Sequence, residues 1–243
     1  MSASDGKAAP GAEGSAHPRR ATYGRRRGRR LRGGQETLLS DLLPQLRVNL
    51  PQQGEQLQPC RLFGREPAGL WLEIGFGRGE HFAWQAARHP EVGLLGAEVF
   101  IDGIVALLRR VREGGLENLR VYKGDGRDLL DSLPERSLQR VFILFPDPWP
   151  KRRHHKRRLL QQATLDRLAE LMVAGAELRL ATDHGDYLRW ILERTTVHPA
   201  FEWLARRPAD WRRRPADWPV TRYELKALGQ GRSPWFLRFR RRS

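Results

Sequence analysis

The turn Gly75-Phe76-Gly77-Arg78-Gly79 follows directly on the apolar run Leu70–Ile74. Glycine at alternate positions permits positive φ and lets a ligand approach the backbone closely. The spacing is Gly-x-Gly-x-Gly, not the Gly-x-Gly-x-x-Gly that cradles a dinucleotide pyrophosphate, which favours a cofactor without phosphate. Carboxylates recur where the neighbouring apolar runs end. Glu73 sits just before the turn, where it can meet an ammonium group directly or through water. Glu98 closes Gly93–Glu98, where a carboxylate can accept from two ribose hydroxyls, and Asp125 follows Leu119–Lys123, where it can accept from an adenine amino group. Each acid alone is as compatible with a helix cap or a solvated strand end. Together they match a ribose-bearing, positively charged cofactor, and S-adenosylmethionine has both properties.

A fourth apolar run, Leu138–Phe145, leads into Pro146-Asp147-Pro148-Trp149-Pro150. Prolines on both sides of Asp147 forbid helix there and hold one carboxylate and one large ring on a rigid extended turn. Immediately after it, Lys151 to Arg158 carries six permanent cations in eight residues. A basic stretch abutting an acid in a cofactor cleft suits a nucleic-acid base in the cleft with its phosphates on the rim. A solvated helix start is the plainer reading of the run by itself. His154 and His155 have no acid or cysteine at ligand spacing, so no metal is expected.

These residues need elements to hold them. Leu70–Ile74, Gly93–Glu98, Leu119–Lys123, Leu138–Phe145 and Glu177–Ala181 read as strands, alternating with helices over Glu80–Arg88, Ile101–Glu113, Leu159–Met172 and Tyr187–Thr195. That alternation predicts an α/β fold: a mostly parallel, doubly wound Rossmann-like sheet covered on both faces. Trp235–Phe239 predicts an antiparallel closing strand at the end of the sheet. In such sheets ligands bind beyond the C-terminal ends of the strands, where the glycine turn falls. Residues 1–33 lack apolar periodicity and contain the block Arg25–Arg30, which predicts a disordered basic arm before a domain over 34–243. A short helix broken near Pro44 is expected to lead into that domain.

The 243 residues carry Lys+Arg 44 against Asp+Glu 28, a net charge of +16, which predicts a polyanionic partner. The single cysteine, Cys60, excludes an internal disulfide framework and a multi-cysteine zinc site. No apolar run approaches the ~18 residues of a membrane span, and no secretory signal is expected, which together suit a cytoplasmic protein. Trp203, Trp211 and Trp218 lie among Arg206, Arg207 and Arg212–Arg214, a pattern that fits either stacking on exposed bases or packing at the sheet edge.

The segments Leu72–Gly79, Gly96–Glu98, Phe145–Lys151, Ala181-Thr182-Asp183 and Thr221-Arg222-Tyr223-Glu224 together resemble the bacterial tRNA (guanine-N7)-methyltransferase family, from about Gly34 to the C-terminus. The resemblance implies a class I methyltransferase fold and transfer of a methyl group from S-adenosylmethionine to N7 of a variable-loop guanosine in tRNA, by a monomer or homodimer. It implies Glu73, Gly75, Gly77, Glu98, Asp125 and Asp147 at the cofactor, with Asp147 catalytic. It implies Lys151, Asp183, Thr221, Arg222, Tyr223 and Glu224 at the substrate. From their residues alone, Thr221 to Glu224 read as a connecting loop. Alternatives are a methyltransferase for another substrate, a non-catalytic RNA-binding protein on the same fold, and a nicotinamide oxidoreductase. The basic run argues against the first, the intact set Glu73, Glu98, Asp125 and Asp147 against the second, and the glycine spacing against the third. His155 and Tyr223 depart from the family's usual asparagine and phenylalanine.

Overall fold

Leu70–Ile74 and Gly93–Glu98 are buried at every position, which requires cover on both faces of the strands that they form. The computed structural model supplies that cover. It describes Gly28, residues 31–52 and residues 54–243; apart from Gly28, the basic block Arg25–Arg30 lies outside the described residues. Among the described residues the elements are α1 (Gly33–Asp41), α2 (Leu43–Leu46), α3 (Pro59–Phe63), β1 (Leu70–Ile74), α4 (Glu80–Arg88), β2 (Gly93–Glu98), α5 (Ile101–Gly114) and β3 (Leu119–Lys123). There follow α6 (Gly126–Ser132), β4 (Leu138–Leu144), a 3-10 turn over Arg152–Arg157, α7 (Gln162–Leu171), β5 (Met172–Thr182), α8 (Gly185–Thr195), β6 (Phe201–Trp203), α9 (Ala209–Arg212), α10 (Arg222–Gly229) and β7 (Trp235–Arg241).

The sheet order is β3-β2-β1-β4-β5-β7-β6, with β1 to β5 parallel and β7 antiparallel to both of its neighbours. The α/β class and the antiparallel strand agree with the sequence reading. The antiparallel strand is not the edge, however: the three-residue β6 lies outside it, too short to announce itself by alternation. Strand parity divides the core in two. Leu70, Leu72, Val141, Ile143, Leu178 and Leu180 pack on one face with Leu165, Leu168, Tyr187 and Ile191. Trp71 and Phe142 pack on the other with Phe82, Ile104, Leu107 and Leu108. Ile104, Leu107, Leu108 and Val111 recur at the i, i+3, i+4, i+7 spacing of an amphipathic helix, which α5 forms and Gly115 ends in the left-handed conformation.

Two boundaries shift for identifiable reasons. Met172 begins β5 instead of ending α7, and a register break between Leu138 and Arg140, with Gly175 at φ 80°, carries the strand past its bulge to Glu177. The three tryptophans are held by packing. Trp218 is 2% exposed against His81, Phe142 and Phe236, while Trp203 stacks on Phe239 and, with Trp211, packs against the core. The leading helices also belong to the fold. Leu38, Leu46 and Val48 are buried, and the Val48 N–H donates to the Val121 carbonyl at 2.8 Å.

Candidate active site

The parallel strands β1 to β4 end on a common side, and a cleft of about 590 Å³ opens there. Gly75, Gly77, Glu98, Asp125, Asp147, Arg222 and Tyr223, all singled out in the sequence, line it. Glu73, Lys151, Asp183, Thr221 and Glu224 are not on its wall. Trp149, the large ring expected beside Asp147, is on it, as are Arg78, Phe100, Arg127, Phe145, Arg157 and Lys226, to which sequence reasoning gave no individual role.

Glu98 ties the turn to β2. One carboxylate oxygen accepts from the Gly77 N–H at 2.7 Å, and the other accepts from the N–H groups of Val99 and Phe100 at 2.7 and 2.9 Å. Burial nevertheless dominates and raises its carboxyl above the usual carboxylate range, with Asp147 adding a smaller repulsion. Gly75, Gly77 and Gly79 all have positive φ, at 75°, 58° and 73°. At Gly103 on α5 a Cβ would lie 2.1 Å from the Gly77 carbonyl oxygen, so the turn rests directly on the helix backbone. At Gly77 a Cβ would lie 2.7 Å from the ring of Tyr223, so that ring rests on the turn from the other side.

Asp125 does more than end a strand. It is the N-cap of α6, accepting from the Arg127 N–H at 3.0 Å, and its other oxygen meets the Arg127 guanidinium at 2.6 Å. Glu73 departs from expectation because of strand parity. It shares a face with Trp71, so its side chain turns toward α4, where its carboxylate lies 2.6 Å from Nδ1 of the buried His81. Gln85 donates to the Asp217 carbonyl and sits 3.0 Å from His81 Nε2. The amide nitrogen is therefore the donor to Nε2, and His81 presents Nδ1–H to Glu73.

Thr221 to Glu224 is a helix start, not a connecting loop. Thr221 caps α10 by accepting from the Glu224 N–H at 3.3 Å, the Thr-x-x-Glu pattern of a capping box, a signal that the sequence itself carries. Both side chains are buried, and Glu224 pairs with Arg214 at 3.2 Å. Asp183 pairs with Arg232 at 2.8 Å, away from the cleft wall.

The segment after β4 is strained. Phe145 and Trp149, on either side of Pro146-Asp147-Pro148, hold φ of 51° and 44°, a region that costs a bulky residue about 1–3 kcal/mol. Asp147 opens into the cleft between them, and the flanking walls thin its hydration and raise its carboxyl above the usual range. The strain is held from below by one member of the basic run. Arg158 is 1% exposed and donates to the Pro148 carbonyl at 2.9 Å and to Asp186, with the Tyr187 and Trp190 rings beside it. The run is thus divided: Lys151, Arg152, Arg153 and Lys156 are exposed, Arg157 lines the cleft, and Arg158 is structural.

Removing the anionic partner of a buried guanidinium has a measurable cost. Asp186→Ala is expected to destabilise the fold by about 1.5 kcal/mol, a fall of about 3–6 °C in Tm for a domain of this size. Arg158 holds the Asp186 carboxyl below its usual range. This contribution is therefore complete above an ordinary aspartate pKa of ~3.9 and is lost as the pH falls through the lowered value. An unchanged melting curve at neutral pH would show that the pair does not anchor the segment.

Residues 67–237 match a family profile described as putative methyltransferase. A tRNA (guanine-N(7)-)-methyltransferase of Rhodospirillum rubrum is 54% identical over 222 residues, spanning 90% of this chain and 87% of that one. Those of Ruegeria pomeroyi and Ruegeria sp. are 48% and 44% identical, spanning 92% and 98% of this chain and 95% and 94% of theirs. Among solved structures, an rRNA methylase from Streptococcus thermophilus superposes with a TM-score of 0.50 at 11% identity, over 72% of this chain and 87% of that one. At that identity the likeness concerns the fold alone.

Proposed function

The chain belongs to the tRNA (guanine-N(7)-)-methyltransferase family, and from that premise we propose that its cleft holds S-adenosylmethionine on the glycine turn and presents N7 of a variable-loop guanosine to it. The observation that carries this reading is the convergence of Asp147, on its strained segment, with the turn, Glu98 and Asp125 in one cleft bordered by Arg157, Arg222 and Lys226.

The residues present fit such a cofactor. Gly75 leaves its backbone open, with no atom within 4 Å of where a Cβ would stand. Glu98 accepts three backbone N–H groups out of about four lone-pair sites, so it can still accept from a ribose hydroxyl. Asp125, on the same wall, suits an adenine amino group. When bound, S-adenosylmethionine supplies an electrophilic methyl group. Guanine N7 has a free lone pair, so no general base is needed, and the protein's work is alignment and electrostatics. Asp147 accepts from the guanine N1–H and amino group, a donor pair that adenine lacks. Glu73 acts from beneath the turn, through the end of β1. Lys151, Arg222 and the exposed cations after Lys151 meet tRNA phosphates, with Asp183, Thr221, Tyr223 and Glu224 shaping the substrate side. We place the reaction in the cytoplasm.

The test uses labelled S-adenosylmethionine with two unmodified tRNAs, one containing guanosine and one in which 7-deazaguanosine replaces it. Transfer to the first, mapped to the variable loop, and none to the second are expected. Label in the 7-deaza tRNA, or at another base, would overturn the assignment of N7.

A further inference from the structure

Two aromatic rings meet across the cleft, and methyl transfer to a bound base does not by itself require them. Phe145 comes from the end of β4 and Tyr223 from the first turn of α10, and both line the same cleft as Asp147. Their rings are nearly parallel, at 15°, with centroids 6.4 Å apart. Carbon atoms in contact sit about 3.5–4 Å apart, so a flat base between two rings needs roughly 7 Å from ring to ring. The centroids stand about 0.6 Å closer than that, so the half-exposed Tyr223 ring must ease outward to admit a base. Each is also held at some cost. Phe145 is a bulky residue at φ 51°, and Tyr223 stays 43% exposed on a helix whose buried positions face the fold. Tyr223 is seated against Gly77, at a position where any Cβ would meet the ring at 2.7 Å. Backbone strain and an exposed ring, converging on two nearly parallel faces in one cleft, point to a ligand with a π-face.

We propose that Phe145 and Tyr223 form a slot that takes the target guanine between their faces, with Asp147 at the edge of the base. The inference rests on the reading of the cleft as a guanine N7 site. A base extruded from the tRNA loses its stacking neighbours, and the two rings replace them. Stacking tolerates any base, so the slot grips while Asp147 selects: it accepts from N1–H and the amino group, whereas N7 and O6 are themselves acceptors. Asp147 on that edge leaves N7 at the opposite side of the base.

The test compares Phe145→Leu and Tyr223→Leu with the ring-preserving Phe145→Tyr and Tyr223→Phe, reading kcat/KM for tRNA methylation and, by calorimetry, S-adenosylmethionine affinity without tRNA. Each leucine variant is expected to lose roughly 5- to 150-fold in kcat/KM for tRNA, with cofactor affinity within about twofold of the parent, and each ring-preserving variant to recover most of the loss. Circular dichroism melts establish that each variant folds, and a leucine variant that does not is replaced by methionine, which fills much of the ring's volume without a π-face and is read against the same expectation. Leucine variants that turn over within twofold of the parent would overturn the slot, as would a loss matched by an equal fall in cofactor affinity. A parent enzyme that does not methylate guanine N7 overturns the functional reading instead, and is told apart by that control alone.

Discussion

Asp147→Ala is expected to lower kcat for tRNA methylation about 10²- to 10³-fold, the loss typical of removing one preorganised electrostatic group from an active site, while the protein still folds. Asp147 faces the cleft from a segment held by Pro146, Pro148 and the buried Arg158, and it is neither a cap nor a core residue. Its carboxyl is raised above the usual range by desolvation. A carboxyl that is harder to ionise folded than unfolded opposes folding once it is ionised. Asp147→Asn should therefore melt no lower than the parent at neutral pH, and the two should converge below ~3.9, where both states are protonated. Activity has the opposite dependence. The carboxylate is the form that accepts from guanine, so it is present above the raised value and lost as the pH falls through it. The acid limb of kcat/KM should accordingly lie above the ordinary aspartate range, and Asp147→Asn should remove it. An alanine variant that methylates tRNA at the parental rate, or an acid limb that survives in the asparagine variant, would remove Asp147 from the chemistry.

The strands that carry the site were legible because they are buried on both faces. An unbroken apolar run such as Leu70–Ile74 leaves little choice of element, and the glycines after it mark the turn. What failed to be legible was direction and pairing. The placement of Glu73 follows from parity with Trp71, which the sequence contains, but its partner His81 becomes visible only once α4 folds back on β1. A run of like charges reads as a solvated face, and nothing local distinguishes Arg158 from Arg157. The difference is made by Asp186, Tyr187 and Trp190 on α8. Thr221 to Glu224 carried its own capping signal, whereas the juxtaposition of Tyr223 with Phe145 and Gly77 depends on how α10 settles over the strand ends.

Gly103→Ala tests whether the turn is held as firmly as the cleft requires, at a residue outside the cleft and outside every recognised motif. Position 103 is in the first turn of α5, where alanine would ordinarily favour helix by about 1 kcal/mol over glycine. Here a Cβ would stand 2.1 Å from the Gly77 carbonyl oxygen and 3.0 Å from its carbon, both backbone atoms that cannot swing aside like a side chain. Overpacking of this kind costs about 1–3 kcal/mol, so the clash offsets the propensity gain and the expected net change is a lower melting midpoint. The functional loss should be the larger one. Moving the Gly77 carbonyl moves its N–H away from Glu98, now 2.7 Å distant. S-adenosylmethionine affinity measured by calorimetry should fall at least about tenfold, equivalent to ~1.4 kcal/mol. Gly114→Ala, at the far end of the same helix, is the control. Its nearest neighbour is the Leu116 side chain at 3.4 Å, so it should bind cofactor normally and melt no lower than the parent. If Gly103→Ala behaves like Gly114→Ala in both measurements, the turn accommodates the displacement, and its contact with α5 does not set the cofactor site.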